Sequence, residues 1–146
     1  MKYTTTKASD IKRSWHLIDI KGKILGRIST RIAELLMGKS KPYFVRHLDT
    51  GDNVVVVNAK HVKVSGKKNT SKKYYRHSGY PHGFRVETFQ ELKDGNPQKI
   101  IYHSVRGMLP QNRLRDKMLK RLHIFSESDH SYQEKFKEEN NTYGKN

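Results

Sequence analysis

Between Lys67 and Gly83 the chain reads KKNTSKKYYRHSGYPHG, a set of residue types suited to binding a polyanion. Lys67, Lys68, Lys72, Lys73, Arg76 and His77 surround the adjacent rings of Tyr74 and Tyr75, Tyr80 follows, and no carboxylate interrupts them. Ammonium and guanidinium groups neutralise phosphates and release condensed counterions, while tyrosine and arginine planes stack on exposed bases. A run of lysines alone is more often a solvated loop. Interleaved with rings and echoed elsewhere in the chain, it marks a nucleic-acid surface. Gly79, Pro81 and Gly83 predict that the segment is presented on a turning loop.

Other groupings offer weaker chemistry. Asp49 and Asp52 form a D-x-x-D arrangement around Gly51, which could hold magnesium or divide acid and base duties. No histidine or nucleophile accompanies them at a recognisable spacing, and aspartates before a buried strand commonly accept backbone N–H groups in a turn. His77, His82, His123 and His130 are too scattered for zinc, so they are expected to meet RNA or solvent. Gly22 and Gly26 bracket a turn before a helix, but the glycine spacing of a dinucleotide loop and the lysine of a P-loop are missing. The sequence therefore predicts no catalytic residue, metal, cofactor or small-molecule substrate. Two rivals stay distinguishable: a magnesium enzyme would lose turnover in Asp52→Ala, and a free mRNA regulator would sediment in the light fractions.

The elements that must position these groups can be read from periodicity. The polar stretch Met1 to Ser14 predicts an extended arm, and WHLIDI from Trp15 predicts a strand entering the core, followed by a turn at Lys21-Gly22-Lys23. Ile28, Ile32, Leu35 and Leu36 recur at helical spacing, which predicts a helix from about Arg27 to Met37 ended by Gly38. Arg27 and Arg31 share one side of it and Lys39 and Lys41 lie just past its end, a second phosphate-contacting surface opposite the aliphatic stripe. After an irregular connector from Pro42 to Asp52, the run Val54 to Val57 predicts a strand buried on both faces in the middle of a sheet.

Val62 and Val64 alternate with His61 and Lys63, which predicts a further strand ended by Gly66. After Gly83 the pattern turns helical. Thr88 and Glu91 fit a capping box opening a short helix that stops before Gly95, and Asn96-Pro97 opens another reaching about Gly107. Leu114, Met118 and Leu122 then recur every four residues while Arg113, Arg115, Lys117, Lys120 and Arg121 crowd the other sides, predicting a strongly basic helix after Arg106. Ile124 and Phe125 close with a strand, and beyond them periodicity is lost, as in a loosely held tail.

With 146 residues the chain has the length of one domain, divided here into an arm (1–14), a nucleic-acid-binding α/β body (15–126) and an acidic tail (127–146). The formal charge is +16; the final twenty residues hold five carboxylates against three lysines, so the first 126 residues, arm and body together, carry +18. Such a body repels itself until an anionic partner neutralises it. A membrane is the wrong partner, because no basic amphipathic helix with a large apolar face is evident and the longest aliphatic run, Val54 to Val57, is far too short to span. The start of the chain lacks the apolar centre of a signal peptide, and the absence of cysteine suits a reducing cytosol, so the expected location is cytoplasmic.

Four stretches together carry a resemblance: GKILGRISTRIAELLMGKSK, HLDTGDNVVVVNAKHVKVSGKK, YYRHSGYPHG and VRGMLPQNRLRDKMLKRLHIF. In this order, from about Trp15 to Phe125, they resemble the bacterial-type large-subunit ribosomal protein L-thirteen family. The resemblance implies a single-domain three-layer α/β/α sandwich around a mainly parallel sheet and no enzymatic activity. It also implies a place in the ribosome beside neighbouring large-subunit proteins, direct binding to large-subunit rRNA, and a role early in assembly. Its RNA-facing segments fall on Arg27 and the basic end of the first helix, on Lys67 to Tyr80, and on Arg106 through Arg121. The sequence departs from the family pattern where Arg46 precedes His47, at His82, around Asn112 to Asp116, and after Asp129.

Overall fold

Four successive valines dictate the centre of the fold. In a computed structural model, which describes residues 6–136, they form the middle strand of a three-stranded parallel sheet. The elements in order are β1 (Trp15–Asp19), α1 (Leu25–Met37), β2 (Asn53–Val57), the one-turn α2 (Lys68–Ser71), β3 (Lys73–His77) and β4 (Phe84–Thr88). They continue with α3 (Phe89–Gly95), α4 (Pro97–Met108), α5 (Leu114–Leu119) and β5 (Leu122–Ile124). The sheet runs β1-β2-β5, with Leu17 beside Val55 and Val55 beside His123, and the fold is the expected α/β sandwich flanked by helices.

Alternation along the strands assigns the two faces. Val54 and Val56 join Ile18, Ile20, Leu122 and Ile124 in one cluster with Ile32 and Leu36 of α1 and Ile100, Ile101 and Val105 of α4. Each fully buried aliphatic there is worth roughly 1.5 to 3 kcal/mol of transfer free energy. Val55 faces the other way and is also fully buried. On that second face Trp15 packs against Tyr132 at 5.0 Å and His123 at 5.9 Å, with Phe136 edge-on at 6.4 Å. The segment after Ile124 shows no periodicity, yet its aromatics hold residues 127–136 against the sheet. The expectations made for 1–5 of the arm and 137–146 of the tail lie outside the described residues.

Helix α1 begins two residues earlier than its periodicity predicts, because the Leu25 N–H is taken by the Lys63 carbonyl at 2.8 Å. It ends at Gly38, whose left-handed backbone (φ 75°) turns its N–H back onto the carbonyls of Glu34 and Leu35. Thirteen residues later the backbone of Gly51 lies directly on the Leu36 carbonyl, where any Cβ would collide. Backbone contact this close pins the connector, with Asp49 and Asp52, to the end of α1. Further on, the capping box is complete: the Glu91 N–H donates to Thr88 Oγ1 at 3.3 Å and the Thr88 N–H to Glu91 Oε2 at 2.7 Å.

Three local expectations are corrected. His61 to Ser65 is not a strand: Asn58 adopts a left-handed conformation (φ 63°), a 3₁₀ turn covers Ala59–His61, and only Lys63 makes a bridge, to Ile24. The Lys67 to Gly83 stretch is not a loop but α2 followed by an antiparallel hairpin, and Phe84 to Thr88, expected to lead into a helix, is its second strand. The alternation of Tyr75, His77, Phe84 and Val86 with charged residues is a strand pattern that the density of cations obscures. The basic helix is only Leu114–Leu119, because Leu122 leaves the helical period to pair with Val54 at the sheet edge.

Candidate nucleic-acid interface

Cations from three elements converge on one groove. Arg27 in the first turn of α1, Lys68 in α2 and Lys72 just before β3 line a groove of about 470 Å³ together with Leu25, Gly26, Ser65 and Ser104. No carboxylate lines it. The groove opens at the N-terminus of α1, where backbone N–H groups and the helix dipole add positive potential to the three side chains. The arrangement suits a phosphate. Arg31 lies exposed one turn along α1, Lys39 past its end, Lys67 just before α2, and Lys73 at the first position of β3.

The hairpin divides its residues between two faces. Arg76 stands directly opposite Arg85, so two guanidinium groups project from neighbouring backbone positions on the same face. Neither has an ion-pair partner among the described residues, and like charges so placed are destabilising until an anion lies between them. Tyr74 is on this inner side. Its ring lies 5.9 Å from His103 and under Lys72 Nζ at 5.3 Å; its hydroxyl is buried without a hydrogen-bond partner, and burial pushes the phenol pKa up. Tyr74 is thus packed against α4, while Tyr75 on the outer face is 68% exposed and Tyr80 at the tip 75%. His77 Nδ1 accepts the Gly79 N–H at 2.8 Å, which orients the ring at the mouth of the turn.

Among the remaining basic residues, Arg106 of α4, Arg113 beside α5, Lys117 within it and Lys120 after it are exposed, and Arg115 is half-buried with its Nε unpartnered. Two predicted contacts turn inward instead. Arg121 forms a forked ion pair with Asp49, donates to the Leu36 carbonyl at 3.1 Å and to the Asp52 carbonyl at 3.3 Å; the two side chains are 12% and 11% exposed. Lys41 pairs with Asp52 and donates to the carbonyls of Lys12 at 2.7 Å and Thr50 at 2.9 Å. Both charges are already matched inside the protein.

The same network explains the two aspartates. Burial would raise the Asp52 carboxyl, but hydrogen bonds from His16, Lys41 and the Ser14 N–H outweigh it and hold the pKa at about 2. His16 Nε2 sits 2.9 Å from Asp52 Oδ2 and the Ser14 N–H 3.0 Å from Oδ1. A carboxylate so engaged is a strut between the N-terminal arm and the connector, not an acid or base. His123 and His130 likewise belong to packing: His123 lies 3.2 Å from the Tyr132 hydroxyl, burial lowers its pKa, and His130 Nδ1 accepts the Tyr132 N–H at 3.3 Å. Both are half-buried in this packing, where contact with solvent or RNA was expected.

A family model described as ribosomal protein L13 matches residues 13–131, the whole of the described body. The chain belongs to the ribosomal protein L13 family. It is similar to proteins named large ribosomal subunit protein uL13: 47% identical to that of Dictyoglomus thermophilum, covering 91% of this chain and 94% of the relative. Identity is 48% with the Dehalococcoides mccartyi protein, covering 90% and 92%, and 46% with that of Thermotoga petrophila, covering 90% and 89%. L13 proteins are structural components of the ribosome in the cytoplasm, not enzymes. No helix among the described residues is long and apolar enough to cross a membrane.

Within the L13 framework, sequence reading missed Arg85 and Phe84, which lie in the segment taken for an approach to a helix. Period-two alternation across Phe84, Val86 and Thr88, matched with that of Lys73 to His77, was the available signal.

Proposed function

We propose that this chain is a structural constituent of the large ribosomal subunit that binds large-subunit rRNA directly through residues 15–126 and acts early in subunit assembly. The observation that carries the reading is the carboxylate-free groove where Arg27, Lys68 and Lys72 meet the N-terminus of α1. The unpaired Arg76–Arg85 couple and the exposed Arg31, Lys39, Lys67, Lys73, Arg106, Arg113, Lys117 and Lys120 extend the same field. Relatives of similar length are named as large-subunit proteins, so rRNA and neighbouring ribosomal proteins are the partners. Lys41 and Arg121 are left out of the contact set because their charge is spent on Asp52 and Asp49.

Protein-free large-subunit rRNA is the discriminating substrate. Direct, early binding predicts that the purified chain associates with it before any other ribosomal protein is added, and that the Arg27→Gln/Lys68→Gln/Lys72→Gln variant binds more weakly while remaining folded. Association only with particles that already contain other proteins would refute it.

A further inference from the structure

The rings on the outer face of the hairpin have no role in the phosphate reading. By strand alternation Lys73, Tyr75 and His77 of β3 and Phe84 and Val86 of β4 project together, away from the side on which Tyr74 packs. Tyr75 and Phe84 lie diagonally across the ladder with centroids 5.9 Å apart and planes inclined by only 12°. They are 68% and 58% exposed, Val86 is 42%, and Tyr80 adds a further exposed ring at the tip. A two-stranded ribbon is marginal in water on its own and gains nothing from displaying an apolar patch to solvent.

We propose that this face is a stacking platform for unpaired bases of RNA. The inference rests on the rRNA-binding reading and deepens it by naming the RNA feature that the hairpin takes: single-stranded bases rather than duplex backbone. Three observations select that occupant. The face carries no carboxylate, since Glu87 belongs to the opposite side with Tyr74. Lys73 stands at its base on the same side as Tyr75, so a chain of bases laid over Tyr75 and Phe84 has a cation within reach of its phosphates. The two rings are parallel to within 12° and rise from neighbouring positions of one ladder, so they already stand in the orientation that a stacked base needs. A duplex hides its base faces and cannot use the platform.

The test compares a short single-stranded oligoadenylate with a blunt RNA duplex of equal length, titrated against wild type and Tyr75→Leu/Phe84→Leu. Leucine keeps apolar bulk on the strands but removes the flat rings; circular dichroism and urea unfolding check that the hairpin persists. One stacked base is worth roughly a fivefold to a hundredfold change in affinity. The platform predicts a loss of that size for oligoadenylate, an unchanged affinity for the duplex, and an unchanged salt slope, because no cation has been removed. Equal losses for both ligands, or none for either, would overturn it. So would a variant that binds oligoadenylate normally yet fails to enter large subunits, which would mean that the face meets a protein. A wild-type affinity indifferent to salt would instead sink the phosphate reading, separately from the rings.

Discussion

Replacing Arg121 by alanine separates the protein's internal cations from those proposed to face RNA. The guanidinium of Arg121 makes a forked contact with Asp49 and donates to the carbonyls of Leu36 and Asp52, all in a site about nine-tenths closed to solvent. Removing it leaves the Asp49 carboxylate buried with only the longer contact to Arg13, at 3.7 Å, and leaves two carbonyls without that donor. Breaking a buried pair in this way costs about 3 to 5 kcal/mol. That is a large share of the ~5 to 15 kcal/mol that holds a domain together. With a urea slope of about 1 to 3 kcal/mol per molar, the unfolding midpoint should drop by roughly 2 M. Asp49→Asn should cost a comparable amount, and the double variant far less than the sum, because both substitutions dismantle one contact. RNA affinity, measured where the variant is still folded, should keep its salt slope. A stability loss below about 1 kcal/mol together with a salt slope reduced by one would place Arg121 on the RNA and refute the assignment.

Three other predictions follow from the same geometry. Since the Asp52 pKa is about 2 in the folded chain against an ordinary 3.8, its contribution is complete above about pH 4 and lost as pH falls toward 2. The acid limb of the wild-type stability curve should therefore contain a step of on the order of 2 kcal/mol that is missing in Asp52→Asn, as followed by denaturant titration at a series of pH values. Arg76→Gln/Arg85→Gln should relieve like-charge repulsion and stabilise the free protein by about 0.2 to 1 kcal/mol while weakening RNA binding, an opposition of sign that thermal unfolding and filter binding would reveal. Gly26, where an added Cβ would meet nothing, sits in the first turn of α1 on the floor of the cationic groove. Gly26→Ala should leave the fold equal or more stable by up to about 1 kcal/mol yet reduce RNA affinity, because the methyl group stands where a phosphate approaches the backbone; unchanged affinity would move the phosphate elsewhere.

Much of the fold was legible because its signals are local. Val54 to Val57, the Gly38 terminator, the Thr88/Glu91 box and the Asn96-Pro97 start each declare themselves within a few residues. One error comes from long-range pairing. Leu122 looks helical by spacing and becomes a strand because β2 offers it a partner far away in sequence. The hairpin was hidden because a strand pattern and a dense cation pattern occupy the same residues. At the site, sequence located the basic segments but not the direction of their side chains. Lys41 and Arg121 look like their exposed neighbours until Asp52 and Asp49 are seen to meet them across the fold. Tyr74 and Tyr75 look equivalent until the pleat sends one inward and the other out.

The central claim is that cations left unmatched inside the protein are matched by RNA phosphates. The slope of log affinity against log salt for wild type and the Arg27→Gln/Lys68→Gln/Lys72→Gln variant, on protein-free large-subunit rRNA, tests it most directly. Each phosphate neutralised contributes about 0.7 to 0.9 to that slope, so the triple substitution should flatten it by roughly two to three. An identical slope in the two proteins would contradict the claim.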